Sequence, residues 1–472
     1  MVGPHRLPCE TPEAHRPTAH AADTRWILPA TILGSSLSFI DGSVVNIALP
    51  AMQNSFGTDL AMMQWVATSY LLTLASLILL GGAAGDRFGR RRIFIVGLVG
   101  FAVASLGCGM AASVGWLIAS RAVQGAAAAL LVPASLALIG SAYSGKERGP
   151  AIGTWAGAAA LTTALGPVIG GWLVDTIGWR SIFFVNLPLA AAAVALALKM
   201  PADRDAKTGE ALDVWGAWFA VLALGLLSYG LIALGDGQVL VGIIAVLAAG
   251  PAIWVFLRVE VRADEPMMPL GIFRNVSFSG VNGMTVLLYA ALSAALFMLP
   301  FVLIKSLGYS AMAAGAAFLP FSILMGLGSR WSGGLVKRIG ARLPLVLSPA
   351  VTGGGFVLLA VSGHITNYWT GFFPGLVIVG IGMTLSVAPL TTTVFDSVPA
   401  AESGVASGIN NASARVGSLL AVAALGLSFG GSVAPSLNAT MLLDAYRLIM
   451  LAAAALAALS ALVAAGTIKS RE

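Results

Sequence analysis

Two ionisable residues lie deep inside apolar stretches of the sequence, where charge is costly. Asp41 is the only one of the twenty acidic residues that falls well inside a predicted membrane span, and Arg121 falls inside another such span. An acid in that position is functional by default, because a carboxylate in a bilayer must be paired, hydrated or protonated. At about 1.5 Å per helical residue, counted from opposite ends of their spans, the two residues reach nearly the same depth. We therefore expect Asp41 and Arg121 to meet.

The charge on Asp41 is predicted to respond to its surroundings. A nearby guanidinium favours the ionised carboxylate, whereas removal from water favours the protonated one. Protonation then depends on the partner and the water that each conformation supplies, which is what a proton-coupling site requires. The alternative is a static ion pair with Arg121 that only orients two helices.

A basic segment punctuated by glycine occurs twice between apolar runs. The first copy, residues 82–92, contains an acid, Asp86, and the second copy, residues 333–342, has Lys337 at the same place, 251 positions later. Such a turn fixes two adjacent helices tightly at a membrane surface. Its recurrence predicts two related helical halves, and two halves that rock against each other are typical of transporters.

Composition excludes a water-soluble protein. Hydrophobic residues make up 58% of the chain and charged residues 10%, with a mean hydropathy of +0.90. Most side chains must therefore face lipid or other helices. The net charge of +6 is explained by basic loops at a membrane surface, so no nucleic-acid partner is predicted. The two cysteines and four histidines form no metal-ligand spacing and no catalytic constellation, so we predict neither an enzyme nor a cofactor.

Fourteen apolar stretches are long enough to cross a bilayer, which takes about 20 helical residues each. Nothing alternates like a barrel strand, so the predicted fold class is an all-α polytopic membrane protein. Of the 26 Lys and Arg residues, 21 fall on one side of this topology, three on the other and two inside spans. Because basic loops stay in the cytoplasm, both termini are predicted to be cytoplasmic.

The repeat divides the chain into six, two and six spans. Residues 26–199 are predicted to form an N-terminal six-helix bundle and residues 277–468 a C-terminal one. Residues 200–276 contain a charged linker and two extra spans. Residues 1–25 are predicted to be a disordered cytoplasmic tail, and residues 469–472 a short cytoplasmic C-terminus.

Several segments carry recognisable patterns in a fixed order: 40–50, 64–70, 82–92, 121–125, 166–171, 179–188 and 404–417. Together they resemble the major facilitator superfamily, and within it the fourteen-helix drug:proton antiporter branch. The resemblance covers residues 26–468. It implies two six-helix bundles with two extra helices, and export of drugs or antibiotics in exchange for protons.

The resemblance also implies roles for particular residues. Asp41 and Arg121 would couple protons. The cytoplasmic turn would form a conformational latch to the N-terminus of the span that begins near Ser403, where the helix dipole is positive. The latch residues are Asp86, Arg87, Gly89 and Arg90. A second group would form the antiporter motif, a seal between bundles for which ordinary helix packing is the alternative: Gly166, Pro167, Gly170 and Gly171.

Polar and aromatic residues within the spans are candidates for a substrate cavity. These candidates are Asn46, Trp65, Tyr70, Gln124, Asn282, Asn410, Asn411 and Arg415. For the aromatic residues the alternative is packing against lipid or another helix, and for the amides it is hydrogen bonding between helices. Arg415 has no evident acidic partner, so backbone carbonyls or packing remain alternatives for it.

The leading functional hypothesis is a proton-coupled antiporter that exports an amphipathic drug or antibiotic across the cytoplasmic membrane. Its expected partners are that small molecule, the proton and the lipid bilayer, and a monomer is expected. The alternative is a symporter or uniporter of the same family for a small polar solute. A membrane enzyme or sensor is a further hypothesis, but no segment between spans is long enough for a catalytic domain.

Overall fold

The computed structural model describes residues 24–143, 145–201, 212–263, 265–362, 365, 367–399, 402–429 and 439–468. Within these ranges the regular structure is entirely helical. Thirteen of the described helices are long and apolar enough to cross a membrane, and a shorter apolar helix spans Ser181–Ala197. Most of the predicted N-terminal tail, the predicted C-terminus at 469–472 and residues 202–211 of the linker lie outside the described residues.

The helices are numbered here in chain order. The first bundle contains α1 (Ile27–Phe56), α2 (Leu60–Phe88), α3 (Arg90–Gly109), α4 (Val114–Ala142), α5 (Gly145–Thr176) and α6 (Ser181–Ala197). The extra pair is α7 (Val214–Gly235) and α8 (Val239–Arg262). The second bundle contains α9 (Val276–Phe301), α10 (Ala311–Ala316 and Leu319–Ile339), α11 (Arg342–Ser362), α12 (Phe373–Asp396), α13 (Ser403–Ala424) and α14 (Ala439–Thr467). The sixth predicted span is the short α6, which is interrupted at Val185.

The two halves repeat the same helix boundaries 251 residues apart. Gly57 and Gly308 end the first helical segment of each half with φ of 60° and 70°. Gly89 and Gly340 occupy the two basic turns with φ of 96° and 74°. Glycine is the residue that adopts this left-handed region at little cost. The predicted internal repeat is therefore visible in the backbone.

The helices that follow Gly57 and Gly308 also begin in the same way. The carboxylate of Asp59 accepts a hydrogen bond from the Met62 N–H at 2.9 Å, and the hydroxyl of Ser310 accepts one from the Ala313 N–H at 3.1 Å. Each side chain satisfies a backbone donor that the first turn of a helix leaves unpaired. These caps fix where α2 and α10 start.

Buried apolar side chains form two main clusters. One lies inside the first bundle and includes Leu37, Phe94 and Leu131. The other fills the second bundle and continues into Val44 and Leu49 of α1. These α1 residues lie towards the end of the first bundle opposite the basic turn. We call the end with residues 82–92 the basic face and the opposite end the far face; the bundles share their core towards the far face.

The extra pair packs against both bundles. On α2, the Trp65 ring lies 6.2 Å from the ring of Tyr229 in α7. At the C-terminal end of α7, six residues after Tyr229, a Cβ on Gly235 would come within 2.6 Å of the Gly426 Cα in the short helix that continues α13. α8 lies outside α7, and its Leu240 is 72% exposed, as expected for a lipid-facing side chain.

Candidate functional site

Asp41 and Arg121 form an ion pair buried in the first bundle. Nη1 of Arg121, on α4, lies 2.5 Å from Oδ2 of Asp41, on α1, and the side chains are 2% and 1% exposed. The predicted meeting of these residues is confirmed. Removing one partner of a buried pair leaves an uncompensated charge, which typically costs about 3–5 kcal/mol.

Gln124, one turn after Arg121 on α4, forms hydrogen bonds with both members of the pair. Its carbonyl accepts a hydrogen bond from Arg121 Nη1 at 2.6 Å, and its amide donates to Asp41 Oδ1 at 3.0 Å. The same amide nitrogen donates to Ser105 Oγ of α3 at 2.8 Å, and Asn186 of α6 donates to that hydroxyl at 3.2 Å. Four helices of the first bundle therefore meet at one hydrogen-bonded network.

Tyr70 of α2 covers the guanidinium. Arg121 Cζ lies 4.3 Å from the centre of the Tyr70 ring, a cation–π contact that is strongest when both groups are removed from water. The Tyr70 hydroxyl is hydrogen bonded to Ser38 Oγ of α1 at 2.8 Å, and Arg121 Nε donates to the Val66 carbonyl at 3.3 Å. Tyr70 and Gln124, both candidates for the substrate cavity, belong to the buried network, as the packing and hydrogen-bonding alternatives predict. Their role in a cavity stays a prediction.

The glycines of the predicted antiporter motif lie against α1 next to this network. A Cβ on Gly166 would overlap Ser43, and one on Gly170 would come within 2.5 Å of Val44 Cγ1. Ser43 and Val44 follow Asp41 within one helical turn. Close packing of α5 on α1 at this point therefore requires glycine.

Gly171 faces the second bundle. A Cβ there would overlap the backbone of Ala311 in α10, and a Cβ on Gly315 would overlap the backbone of Pro167 in α5. The two helices thus approach each other through reciprocal glycines. This contact lies towards the far face and joins the two bundles.

Asp175, near the end of α5, binds the start of α10. Its carboxylate accepts hydrogen bonds from the backbone N–H groups of Ala311 at 3.0 Å and Met312 at 2.8 Å. A helix N-terminus carries partial positive charge and unpaired donors, so a carboxylate is a well-matched partner. Sequence analysis missed this residue, although it lies one turn after Gly171.

Two further contacts join the bundles at the far face. Lys305, in the π-helical turn after α9, donates to Gln53 Oε1 of α1 at 2.5 Å. Gln64 of α2 donates to the Val422 carbonyl of α13 at 2.7 Å. With the α5–α10 contact, these bonds close the far face in this structure.

The basic turn, which joins α2 and α3, also binds α4 and α6. Arg90 donates to Asp86 Oδ1 from Nε at 3.0 Å and from Nη2 at 2.8 Å, and its Nη1 lies 3.4 Å from the Ala137 carbonyl of α4. Arg91 donates to the Ala197 carbonyl at the end of α6 at 3.0 Å. The Arg87 guanidinium lies over the Phe88 ring at 5.2 Å.

The packing of α2 on α13 bears on the predicted latch. Gln64 meets Val422, and a Cβ on Gly408 would come within 2.9 Å of Leu79 Cδ2, so the two helices run antiparallel. Continuing this register towards the basic face brings Asp86 opposite the start of α13. The latch between Asp86 and α13 remains a prediction.

Other cavity candidates lie in several environments. Asn410 of α13 donates to Asn282 Oδ1 at 3.2 Å and to Thr285 Oγ1 at 3.0 Å, both on α9. These are hydrogen bonds between helices of one bundle, as the packing alternative predicts. Trp65 packs on the extra pair. Three candidates are partly buried on α1 and α13: Asn46, Asn411 and Arg415.

An all-helical membrane fold of two bundles, joined at one face and holding a buried ion pair in one bundle, defines the class of polytopic membrane transport proteins. Residues 31–422 match the model of the Major Facilitator Superfamily. The chain therefore belongs to the Major Facilitator Superfamily, and the predicted fold class is confirmed.

Relatives with known names are similar over most of the chain. This chain is 36% identical over 404 residues to the multidrug resistance protein Stp of Mycobacterium tuberculosis (strain CDC 1551 / Oshkosh). The aligned region covers 84% of this chain and 74% of that protein. It is also 34% identical over 431 residues to the tetracenomycin C resistance and export protein of Streptomyces glaucescens. That aligned region covers 89% of this chain and 79% of the relative. The fold resembles a crystal structure of a D-xylose–proton symporter, with a TM-score of 0.69, 15% identity and coverage of 95% and 98%.

Proposed function

We propose that this transporter exports an amphipathic drug-like or antibiotic molecule across the cytoplasmic membrane in exchange for protons. The observation that carries the proposal is the buried pair of Asp41 and Arg121 in a superfamily member whose relatives are named for resistance and export. The basic face is then cytoplasmic, as are both termini. The transporter acts as a monomer without a cofactor, and the proton is the coupling ion.

The way in which Asp41 is held supports a role in proton coupling. Both carboxylate oxygens accept hydrogen bonds from Arg121 and Gln124, and the contact with the guanidinium is strongest while Asp41 carries its negative charge. A proton on Asp41 cancels its attraction for Arg121, so protonation and separation of α1 from α4 assist each other. The Tyr70 ring and the Val66 carbonyl continue to hold the guanidinium when the carboxylate is neutral.

Alternating access follows from the contacts at the far face. For the far face to open, α10 must leave Asp175 and Gly171, and Lys305 must leave Gln53. The α2–α13 contact would then tighten at the basic face, where Asp86 would bind the start of α13. Each latch in this scheme joins an acid of the first bundle to a helix N-terminus of the second.

The proton gradient supplies enough energy for export. One proton that moves through about 100 mV releases about 2.3 kcal/mol. Because a tenfold concentration step costs about 1.4 kcal/mol, one proton sustains a ratio of roughly 50.

Asp41→Asn tests the proposal, since it keeps the shape of the side chain and removes its proton chemistry. Proteoliposomes loaded with a fluorescent amphipathic compound, such as 9-anthroate, are given a pH gradient, and flux is followed by fluorescence. We expect the variant to lose gradient-driven flux, while Asp236→Asn, which changes a partly exposed acid at the end of α7, keeps it. Equal flux through Asp41→Asn and the parent would exclude Asp41 as the coupling residue, and the direction of flux separates export from uptake.

A further inference from the structure

Arg415 is a charged residue that the described contacts leave without a partner. It lies twelve residues after Ser403, about 18 Å along α13 at the usual helical rise. Its side chain is partly buried, and its Nε is screened from solvent with no hydrogen-bond acceptor among the described residues. Neither the Asp86–Arg90 ion pair nor the Asp41–Arg121 ion pair involves Arg415.

Arg415 lies where the two bundles face each other. It is within electrostatic range of the Tyr289 hydroxyl on α9 and of the Tyr70 hydroxyl on α2. Tyr70 belongs to the first bundle and covers Arg121, so the Tyr70 side chain lies between Arg121 and the part of α13 that carries Arg415. Asn411, one helical turn earlier on α13, is also partly buried.

Comparison with Arg121 indicates what Arg415 lacks. Arg121 has a carboxylate, an amide oxygen, a backbone carbonyl and an aromatic ring around its guanidinium. A guanidinium stays protonated in proteins, and a charge within a bilayer is expensive unless it is paired or hydrated. Asp41, the acid at this depth, is already paired with Arg121. The region between the bundles therefore carries an uncompensated positive charge.

We propose that Arg415 binds an acidic oxygen of the transported molecule, a carboxylate or an ionised phenol or enol. The substrates are then amphipathic organic acids. This inference rests on the export function proposed above. The planar fork of guanidinium donors matches a carboxylate, and the nearby Tyr289 offers an aromatic surface for an apolar ring.

Two probes with the same ring system and different charge test the inference: 9-anthroate and its neutral analogue 9-anthracenecarboxamide. Binding to the purified full-length protein is measured by fluorescence anisotropy. Because hydrogen bonds between charged groups are the strong ones, we expect Arg415→Gln to weaken 9-anthroate binding by roughly tenfold or more. The affinity for the amide should not change. Arg415→Lys should retain part of the preference, and Arg447→Gln, an exposed arginine on α14, should retain all of it.

Results that contradict the role of Arg415 differ from the result that contradicts the export function. A parent protein that does not prefer the acid over the amide, or an Arg415→Gln variant that weakens both probes equally, overturns the inference. Equal weakening accompanied by loss of proton-driven flux would instead identify Arg415 as a partner of Asp41 in another conformation. Acid-selective binding without any gradient-driven flux would contradict the export function and leave the recognition role of Arg415 standing.

Discussion

At the scale of single residues, Gln124 is the least replaceable member of the buried network. Its carbonyl faces a cation and its amide faces an anion, so it satisfies Arg121 and Asp41 at once. A carboxylate could not donate to Asp41, and an ammonium could not accept from Arg121. The neutral amide therefore joins the charged pair without adding a charge of its own.

Replacing Gln124 by leucine should destabilise the protein. The change leaves Asp41 Oδ1 without the amide donor and deprives Ser105 of one partner, and an unsatisfied buried polar group typically costs about 1–3 kcal/mol. We expect a lower midpoint in thermal unfolding of the detergent-purified protein. Gln238→Leu, at an exposed turn, should change stability by less than about 0.5 kcal/mol. Equal losses in the two variants would contradict the role of the network.

The sequence predicted part of this site for a clear physical reason. Helical rise fixes the depth of a residue in the membrane. The contact between Asp41 and Arg121 could therefore be predicted by counting residues along each span. The rotation of each helix about its axis is set by packing, and counting does not provide it. For that reason the sequence left cavity lining and helix packing as alternatives for Trp65 and Gln124, whereas the structure shows that one packs on α7 and the other lies inside the first bundle.

At the scale of elements, α5 is both a packing surface and a latch. Its glycines lie against α1 and α10, and Asp175 near its end binds the N-terminus of α10. The glycine motif was recognisable as a local pattern. The hydrogen bond that Asp175 accepts could not be recognised in this way. It joins residues 136 positions apart in the chain and depends on how the two bundles meet.

Asp175→Ala should weaken closure of the far face. An exposed charge at a helix N-terminus contributes about 0.3–1 kcal/mol, which shifts a two-state population by up to about fivefold. Spin labels at Ile177→Cys and Trp369→Cys, in a background with both native cysteines replaced, report the separation of the bundles by pulsed EPR. We expect a larger fraction of long distances in the variant.

The control for Asp175→Ala is Asp236→Ala, which removes a partly exposed carboxylate at the far face. Its distance distribution should equal that of the parent. The same distribution in Asp175→Ala as in the parent would mean that this bond does not contribute to closure.

At the scale of the whole molecule, the extra pair makes the two bundles less independent than the repeat implies. α7 packs on α2 through Tyr229 and on the continuation of α13 through Gly235. If the two bundles rotate relative to each other, α7 must therefore shift against either α2 or the continuation of α13. Hydropathy identified the pair as two spans, but it carries no information on which helices they cover.

Gly235→Val should separate α7 from the second bundle, because the new side chain would overlap Gly426. We expect reduced transport and a lower unfolding midpoint in the same proteoliposome and thermal assays. Gly250→Val is the matched control, since a Cβ on that glycine of α8 meets nothing within 4 Å. Should the two valine variants behave alike, the contact between α7 and the second bundle would have no mechanical role.

The position of α7 also determines which seam between the bundles is covered from the lipid. Two seams run between the bundles, one along α2 and α13 and the other along α5 and α10. Because α7 and α8 cover the first seam from the lipid, a hydrophobic compound that diffuses within a leaflet encounters helix surface there rather than an entrance. The extra pair lies on the α2–α13 side, so the two flanks differ: one presents the extra helices to the bilayer and the other presents the α5–α10 seam itself.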